Sequence, residues 1–420
     1  MLKICKKLFP LNRSLGGVAN ILTLNILKKN IESFKIKKFN SGEIVYDWKV
    51  PKVWEVEDAY IETPDKKKIC DFKKNNLHLM AYSISTNKVL DLKEIKKKIF
   101  SIKKNPNAIP YKTNYYKKDW AFCLEDRIKK KLKVGNYRAY IKTIFIKSFL
   151  PYGEIFIKGK SKKEVLLSTY ICHPSMANNE ISGMVVTREI TKWLQQKNRY
   201  YSYRILFLPE TIGSISYIKK NLKKMKKNIF AGYQITCIGD ERQFSVMPSK
   251  QRNSISDRIA IKVLKTLKGK KRIYNWLERG SDERQYCSPL INLPICSLMR
   301  SKYWDYKEYH TSLDVIGNVV TAKGLKGGFE FVKKVIKEIE SVRIPIATKP
   351  CEPFLQKYNI WKNKKNSYHP TNNVHNILNF ISYCDGDKSV DEIAKIIKID
   401  RKKKNKLLEL IYKKKLIKFL

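Results

Sequence analysis

Two histidines and two carboxylates occupy positions where a metal-dependent hydrolase could hold its ligands. His173 closes the apolar run LLSTYIC, Glu210 follows ILFLP, and Asp240 follows YQITCIG. His310 lies in the segment EYHTSLD. Imidazole nitrogens and carboxylate oxygens are ligands of zinc, and a zinc-bound water is acidic enough to attack an amide carbonyl. Each residue alone has an ordinary structural role, but their comparable placements predict a metal centre, with Glu210 as a ligand or the catalytic proton carrier.

The segments around these positions alternate short apolar strands with amphipathic helices. Between about 159 and 345, the runs VLLSTYICHP, YRILFLPE and FAGYQITCIGD are typical of strands, and the runs between them are typical of helices. This alternation predicts an α/β core with a mainly parallel sheet flanked by helices. Because ligands bind at the carboxyl ends of strands in such sheets, we expect His173, Glu210 and Asp240 at one edge.

Three further segments surround this predicted core. Residues 1–40 are expected to add helices to the same domain. Residues 41–158, which are rich in strand formers and aromatic residues, are expected to form an inserted β-rich domain. Residues 346–420 begin with prolines and continue as helix, turn, helix, long helix and a short apolar strand. That order is typical of a small winged-helix-like domain.

The composition is strongly basic. The chain has 420 residues, of which 87 are Lys or Arg and 38 are Asp or Glu, so its formal net charge is +49. Such a charge attracts polyanions at low salt. The lysines, however, are spread along the whole chain and lack the forked donor geometry of arginine, which favours a general compositional bias. Nucleic-acid binding through the basic helix near residues 401–412 is therefore a lesser hypothesis.

The cysteines and the N-terminus bear on cellular location. The nine cysteines include no CxxC pair, and their odd number argues against a disulfide framework or a Cys-type zinc site. The N-terminal basic and apolar stretch is interrupted by Asn12, Arg13 and Asn20, which favours an amphipathic helix over a signal peptide. No later apolar run approaches the ~18 residues that span a bilayer. These features predict a cytoplasmic protein with no membrane partner.

Several segments together resemble a known family. They are YICHPSMANNEISG, FLPETIGSISYI, CIGDERQFS, RGSDERQYCSP and EYHTSLD. In this order they resemble the aminopeptidase-like family of bacterial domains of formerly unknown function, which is related to the co-catalytic zinc aminopeptidases. The N-terminal LFPLNRSLGG, the aromatic-rich middle and the helical C-terminus resemble that family's helix entry, inserted β-rich domain and winged-helix appendage. The resemblance covers nearly the whole chain and implies a zinc-exopeptidase fold.

The resemblance implies a set of zinc ligands. His173 and Asp240 would hold a first ion, while Glu210 and His310 would lie at a second ion or at the activated water. Position 179, which is Asn179 in this chain, would provide the bridging ligand. One or two zinc ions are expected on this basis.

The resemblance also implies residues that line the substrate site. In the segment RGSDERQYC these are Ser281, Asp282, Arg284 and Tyr286. Arg284 would pair with a substrate carboxylate, although a surface ion pair is an equally good interpretation of this arginine. The implied partner is a small peptide-like or amide substrate, and a homo-oligomer is left open.

Two departures from the zinc-peptidase pattern affect the expected chemistry. Related enzymes have an Asp in the motif DN-x-SG, where this chain has Asn179 followed by Glu180. A neutral amide oxygen is a weaker ligand than a carboxylate, so either one ion is lost, Glu180 replaces the Asp, or activity is lost. The broader zinc aminopeptidases also have two adjacent glutamates, whereas Glu210 stands between Pro209 and Thr211.

Two functions from different classes follow from these observations. The first is a zinc-dependent aminopeptidase-like hydrolase of an amide or peptide bond, weakened by Asn179. The second is a catalytically inactive scaffold of the same fold that binds a peptide-like or amino-sugar ligand. The variant Asn179→Asp separates them, because restoring the carboxylate should raise metal content and activity only if the site is weakened rather than abandoned.

Overall fold

The computed structural model describes the chain in two ranges, residues 1–360 and 372–420. Its contacts divide the chain into two compact units. The first unit comprises residues 1–160 and 164–335, and the second comprises residues 161–163 and 336–420. The metal-site and substrate-site residues predicted above all belong to the first unit.

The helices are distributed along the whole chain and contribute to both units. Among the described residues, the α-helices are α1 (Leu2–Leu8), α2 (Val18–Lys28), α3 (Leu92–Lys97), α4 (Asp126–Lys130), α5 (Ser182–Gln195), α6 (Ile212–Asn228), α7 (Ile255–Thr266), α8 (Glu283–Tyr286), α9 (Ala322–Ser341), α10 (Asn372–Ser382), α11 (Val390–Ile396) and α12 (Arg401–Lys413). Short 3-10 helices cover Asn76–His78, Trp276–Glu278 and Leu355–Tyr358, and a π-helical turn covers Ala177–Ile181. Within residues 1–360 and 372–420, no helix is long and apolar enough to cross a bilayer.

The strands include long members of two sheets and several short pairs. Among the described residues, they are β1 (Lys35–Asn40), β2 (Ile44–Val45), β3 (Trp48–Lys49), β4 (Val53–Glu62), β5 (Lys68–Ile69), β6 (Thr86–Asp91), β7 (Ile99–Phe100), β8 (Phe122–Cys123), β9 (Asn136–Ile146), β10 (Phe149–Ile157), β11 (Glu164–Tyr170), β12 (Ser202–Leu208), β13 (Ile229–Ile235), β14 (Phe244–Met247), β15 (Lys271–Ile273), β16 (Ile295–Met299), β17 (Pro345–Ala347) and β18 (Ile417–Phe419). Most of the first unit is organised around the larger of these sheets.

The main sheet has eight strands in the order β1-β10-β12-β11-β13-β16-β14-β15. The central neighbours β12, β11, β13 and β16 run parallel to one another. At one edge β1 and β10 pair antiparallel, and near the other edge β14 pairs antiparallel with β16. Every residue of β11 and β12 is buried, as is usual for central strands covered on both faces. The structure confirms the predicted α/β fold with a parallel centre and adds antiparallel strands at its edges.

A close approach between α5 and the sheet fixes the region that precedes this helix. A side chain at Gly183 would collide with the backbone oxygen of Ile235 and the hydroxyl of Thr169, so the helix start needs glycine there. The π-helical turn Ala177–Ile181 lies immediately before α5, and all its residues are buried. Such turns occur often at functional sites. The segment NNE is thereby held against the ends of β11 and β13.

The chain between β1 and β10 forms a separate β-rich layer in the first unit. Its four-stranded sheet has the order β5-β4-β9-β6, and all of these neighbours are antiparallel. Buried residues of this layer include Trp54, Ile61 and Tyr137. Because β1 and β10 themselves pair in the main sheet, the chain leaves that sheet after β1 and returns to it with β10.

The second unit combines three helices with one strand pair. β17 pairs antiparallel with β18, and α10, α11 and α12 lie between them in sequence. Phe380, Ile393 and Ile411 are fully buried in its hydrophobic core. This order of elements matches the expected winged-helix-like domain, whose assignment stays a prediction. Part of that predicted segment, residues 361–371, lies outside the described residues.

Candidate metal centre

The loops after three strands of the main sheet, β11, β12 and β16, carry His173, Glu210 and His310 to the same edge. His173 follows β11, and Glu210 follows β12, which pairs in parallel with β11. His310 comes from the loop between β16 and α9. The ring centroids of the two histidines are 5.2 Å apart, and His173 Nε2 lies 3.7 Å from Glu210 Oε2. The carboxyl ends of the strands thus converge on two imidazoles and a carboxylate.

Glu180 and Arg13 surround the inner side of His173. Glu180 Oε1 accepts a hydrogen bond from the backbone N–H of His173 at 2.7 Å and lies 3.5 Å from its Nδ1. Glu180 Oε2 pairs with Arg13 Nε at 3.0 Å, and both of these side chains are fully buried. Burial disfavours a charged His173, but the hydrogen bond and the charge of Glu180 outweigh that effect and raise the pKa of His173. A carboxylate beside the inner nitrogen is the usual way to orient a metal-binding imidazole.

His310 is held by aromatic rings rather than by hydrogen bonds to its ring. It stacks on Tyr309 at 4.0 Å between centroids and meets the ring of Tyr111 edge-on at 5.2 Å. Its Nε2 is buried and has no hydrogen-bond partner among the described residues. Burial and the neighbouring His173 hold the pKa of His310 well below its ordinary value. The ring is therefore neutral at physiological pH, which is the form that binds a metal ion.

The residues after His310 have partners other than its ring. The carboxylate of Asp314 accepts hydrogen bonds from the backbone N–H groups of Asn178 and Asn179 at 2.8 and 3.0 Å. Thr311 donates its hydroxyl to the backbone oxygen of Glu308. These contacts hold the π-helical turn and the His310 loop together.

Glu210 is fixed by Ser281 and borders a strained residue. Ser281 Oγ donates to Glu210 Oε1 at 2.7 Å, which leaves Oε2 on the side of His173. Burial raises the pKa of Glu210, while His173 and Ser281 oppose that shift. The next residue, Thr211, has a φ of 64°, which is unfavourable for a β-branched residue. Such strain is often retained at functional sites.

A second carboxyl group, Asp282, lies beside Glu210. Its Oδ1 accepts hydrogen bonds from Thr211 N at 2.7 Å and from Ser214 Oγ at 2.8 Å. Its Oδ2 is buried without a hydrogen-bond partner in the described part of the chain. Burial and the charge of Glu210 raise the pKa of Asp282 to about 7. Two carboxyl groups, both with raised pKa values, therefore lie side by side at this edge of the sheet.

Asn179, the residue expected to bridge two ions, makes contacts with the fold. Its Oδ1 accepts a hydrogen bond from Tyr170 Oη at 3.1 Å, and its backbone oxygen accepts one from Thr236 Oγ1 at 2.8 Å. Its Nδ2 is buried and has no partner among the described residues. The single proton of the Tyr170 hydroxyl is shared between this amide oxygen and the nearer backbone oxygen of Asn179, at 2.8 Å.

Asp240, the other expected ligand from a strand end, is surrounded by donors. Its Oδ1 accepts hydrogen bonds from Arg242 N at 2.8 Å and Ser301 Oγ at 3.0 Å. Its Oδ2 accepts from Asn178 Nδ2 and from Ser301 N, both at 2.9 Å. Both oxygens are satisfied by the protein, and they connect the loops that follow β13 and β16.

The predicted substrate-site residues occupy different environments. Ser281 and Asp282 lie at the centre, as described above. Arg284 is on the surface, where its Nη2 donates to Thr211 Oγ1 at 2.7 Å. Tyr286 is fully buried, and its hydroxyl pairs with Ser168 Oγ at 2.9 Å. The short helix α8 therefore directs these side chains to different sides.

Sequence reasoning did not single out Cys172 or Arg13, which contact the centre. Within the described ranges, Cys172, His173 and Glu180 form a group whose possible ligand atoms lie within 4.8 Å of one another. Glu180 is committed to Arg13 and to the backbone of His173. Burial holds the pKa of Cys172 well above its ordinary value, which disfavours the thiolate that binds metals. We therefore interpret Cys172 and Glu180 as supports of His173 rather than as a ligand set.

The remaining donors are candidates for one zinc ion, although the ligand atoms of His173, Glu210 and His310 do not all lie within 4.8 Å of one another, so their side chains would have to draw together around it. His173 Nε2 and Glu210 Oε2 face each other, and His310 Nε2 is buried without a protein partner in residues 1–360 and 372–420. Two histidines and one glutamate, with a position left open, form a known catalytic zinc arrangement. The oxygens of Asp240 accept hydrogen bonds from the protein, and Asn179 offers a neutral amide oxygen rather than a carboxylate.

Comparison with known proteins identifies similar chains. A protein of Clostridium acetobutylicum, named for polysaccharide biosynthesis and an aminopeptidase-like domain, is 39% identical over 360 residues, which cover 86% of this chain and 82% of that protein. A crystal structure of a C. acetobutylicum protein named as a peptidase has a TM-score of 0.80 and 35% identity, covering 100% of this chain and 96% of the other.

More distant structures share the fold. The zinc aminopeptidase BSAP from Bacillus subtilis is 13% identical with a TM-score of 0.57, covering 80% of this chain and 95% of BSAP. A family model described as Domain of unknown function (DUF4910) matches residues 2–342. The chain therefore belongs to the DUF4910 family, and its first unit has the α/β fold of the zinc aminopeptidases.

Proposed function

We propose that this chain is a zinc-dependent hydrolase of an amide or peptide bond. The observation that carries the proposal is the convergence of His173, His310 and Glu210 at the strand ends. The buried Nε2 of His310, which no described residue contacts by a hydrogen bond, supports it because such an atom is costly without a ligand. The zinc aminopeptidase fold and the relative named for an aminopeptidase-like domain support the same class of activity.

One zinc ion would be held by His173, His310 and Glu210. When bound, zinc would polarise the substrate carbonyl and lower the pKa of a water molecule. The neutral His310 and the oriented His173 suit this role, since a metal ion requires a deprotonated imidazole nitrogen. The sequence predicts one or two zinc ions, and this proposal assigns one.

The surrounding residues would orient the Glu210 carboxylate and transfer a proton during the reaction. The Ser281 hydroxyl holds one oxygen of Glu210, so the other oxygen keeps a fixed direction. Asp282 lies beside Glu210 with one buried oxygen that no described residue engages by a hydrogen bond. That oxygen could accept a proton during turnover and return it to the leaving amine.

Metal analysis combined with a screen of aminoacyl substrates tests the proposal. We expect one zinc ion per purified chain and hydrolysis of at least one substrate. The variant His310→Ala should lose most of both. The matched control is His375→Ala, because His375 is exposed and belongs to the second unit. Equal zinc content and activity in wild type, His310→Ala and His375→Ala would overturn the proposal.

A second candidate function is a catalytically inactive scaffold of the same fold. It is favoured by Asp240, whose oxygens accept four hydrogen bonds from the protein, and by the neutral Asn179. Such a scaffold would bind a peptide-like or amino-sugar ligand, and the name of the relative, which refers to polysaccharide biosynthesis, agrees with the latter. Activity assays of wild type and of Asn179→Asp separate the candidates: if the wild type is inactive and a zinc-loaded Asn179→Asp protein is inactive too, the scaffold is favoured.

We also propose a reducing compartment, such as the cytoplasm. All nine cysteines are free, and only Cys351 is exposed. Free thiols persist where the surroundings keep them reduced. Fractionation of cells that express the tagged protein would test this location.

A further inference from the structure

A cleft in the β-rich part of the first unit has the size and lining of a ligand site. Its volume is about 670 Å³, within the range of about 300–1,000 Å³ that is usual for small-molecule sites. We call it the lysine cleft, and its lining residues are Ser41, Gly42, Lys49, Val50, Pro51, Lys52, Tyr82, Tyr115, Tyr116, Lys118, Phe145 and Lys147. It is distinct from the metal centre, none of whose proposed ligands lines it.

The charge of the lysine cleft is uncompensated. Four of its lining residues are lysines and none is acidic. None of these lysines forms an ion pair with a residue in the described ranges. A second cleft, near β1 and β10, is different, because its Lys37 pairs with Glu154 at 2.6 Å and its Arg204 pairs with Glu154 and Glu164. Positive charge gathered in a concave surface without counter-charge concentrates the field that attracts an anion.

Aromatic rings line and flank the same cleft. Tyr116 is 55% exposed and Phe145 is 37% exposed, and Trp48, 39% exposed, lies 6.2 Å from the Tyr116 ring. Below them Tyr82 is buried and packs edge-on against Tyr115 at 5.0 Å. Tyr82 and Tyr116 donate their hydroxyls to the backbone oxygens of Lys52 and Lys49, which ties the rings to the lysine-bearing segments. Exposed aromatic side chains of this kind offer apolar surface against which a ligand ring could pack.

We propose that the lysine cleft binds a small anionic ring compound, in which a sugar or a nucleobase-bearing sugar carries a carboxylate or a phosphate. The lysines would hold the anionic group by charge-assisted hydrogen bonds, and the aromatic faces would pack against the ring. The two features are joined on one wall, because Tyr116 is bonded to the backbone of Lys49. A site for a bare anion would not need exposed rings, and a site for a neutral sugar would not need four uncompensated lysines.

The lysine cleft is linked to the metal centre through two tyrosines. Tyr115 lines the cleft, and its hydroxyl lies 3.5 Å from that of Tyr111. The ring of Tyr111 is packed against His173 at 5.3 Å and His310 at 5.2 Å. The proposal of a ligand in the lysine cleft does not depend on the proposed hydrolysis. A direct measurement of ligand binding therefore tests the cleft even if the protein hydrolyses no substrate.

Calorimetric titration of the full-length protein tests this proposal with four probes. Glucuronate represents an acidic sugar and uridine monophosphate represents a nucleotide, while inorganic phosphate and glucose provide the charge alone and the ring alone. We expect glucuronate or uridine monophosphate to bind at least about tenfold more tightly than both single-feature probes. The tighter of the two identifies the source of the ligand. If neither exceeds phosphate, the proposal is overturned.

Two matched variants distinguish specific binding in the lysine cleft from non-specific attraction to the positive charge of the protein. The test variant replaces the four lysines of the cleft by glutamine: Lys49→Gln, Lys52→Gln, Lys118→Gln and Lys147→Gln. The control removes the same charge from exposed lysines elsewhere in the same unit: Lys88→Gln, Lys93→Gln, Lys103→Gln and Lys104→Gln. We expect affinity for the preferred probe to fall by about tenfold or more only in the test variant. Equal weakening in both variants would contradict a specific cleft.

A third variant examines the ring contact. Tyr116→Ala removes an exposed side chain, and circular dichroism should show the fold retained. It should weaken binding of the preferred ring compound by about threefold or more while phosphate binding is unchanged. If the fourfold lysine variant fails to fold, the double variant Lys52→Gln with Lys147→Gln takes its place in the comparison with the control lysines. Unchanged binding of the ring compound by Tyr116→Ala would overturn the role of the aromatic wall.

Discussion

Arg13 and Glu180 form an ion pair at 3.0 Å in which both side chains are fully buried, and the other oxygen of Glu180 lies 3.5 Å from Nδ1 of His173. The pair therefore joins the N-terminal segment to the metal centre. Glu180 thus lies where a carboxylate commonly orients a metal-binding histidine, and Arg13 holds that carboxylate in place.

Breaking this pair should affect stability and metal binding together. Glu180→Ala leaves the Arg13 charge buried without its partner, so the free energy of unfolding should fall by about 3–5 kcal/mol. It also frees His173, so zinc affinity should fall on the order of 10–100-fold. The double variant Arg13→Met with Glu180→Leu should recover much of the stability but not the zinc affinity. Urea unfolding and zinc titration measure the two effects, and recovery of both would contradict a positioning role for Glu180.

Ser281 should matter for turnover more than for stability. Ser281→Ala removes the hydroxyl that holds Glu210 Oε1 at 2.7 Å, and a hydrogen bond to a charged group contributes about 1.5–3 kcal/mol. We expect kcat/KM to fall by about 10–100-fold. Ser288→Ala is the control, because the Ser288 hydroxyl donates to the backbone oxygen of Gln285 and contacts no proposed ligand among the described residues. Similar kinetics for the two variants would show that Ser281 does not orient Glu210 during catalysis.

Glu154 should give the protein an acid-dependent stability. Burial opposes its charge, but hydrogen bonds from Lys37 and Tyr217 and the charge of Arg204 lower the pKa of Glu154 below its ordinary 4.5. A lowered folded-state pKa gives stability that is present above pH 4.5 and is lost as the pH falls through the folded value. Glu154→Gln should therefore be less stable than wild type at pH 7, by about 1.5–3 kcal/mol. Melting curves from pH 3 to 7 should show the difference shrinking towards acid; a constant difference would exclude the ionised carboxylate as its source.

We expect Gly324 to be required for close packing of α9 against the loop that carries Asp240. A methyl group at Gly324 would collide with the backbone oxygen of Gly239, whereas one at Gly327 would first meet the end of the Arg300 side chain. Gly324→Ala should lower the free energy of unfolding by about 1–3 kcal/mol, although alanine favours helices. Gly327→Ala should cost less, since a long side chain can move. Thermal unfolding compares them, and equal melting temperatures would rule out a rigid contact at Gly324.

The strand-end positions of His173 and Glu210 could be predicted because long apolar runs precede both of them. Such runs become central strands, and parallel neighbours end at the same edge. The predicted α/β fold is confirmed by the eight-stranded sheet, and the predicted family is confirmed by the match of the family model to residues 2–342. His310 is also among the predicted ligands, but its loop has no periodic pattern, so the sequence does not indicate which side of the sheet edge it approaches.

Other contacts of the site depend on packing that the sequence does not encode locally. Four donors surround Asp240 from three loops, and no pattern around residue 240 indicates them. Tyr286 lies in an apparently polar segment, yet the short helix that carries it points its ring into the core. The sequence predicts Glu180 only as a substitute ligand, whereas in the structure it pairs with Arg13, which lies 167 residues away in sequence.

The long separation between Arg13 and Glu180 also has a consequence for biosynthesis. Arg13 leaves the ribosome long before Glu180, and the loop with His310 follows later still. The early N-terminal segment must therefore keep a cationic side chain in water until its partner is made. His310 is made well after His173, so the candidate centre can form only once the chain has been translated past residue 310.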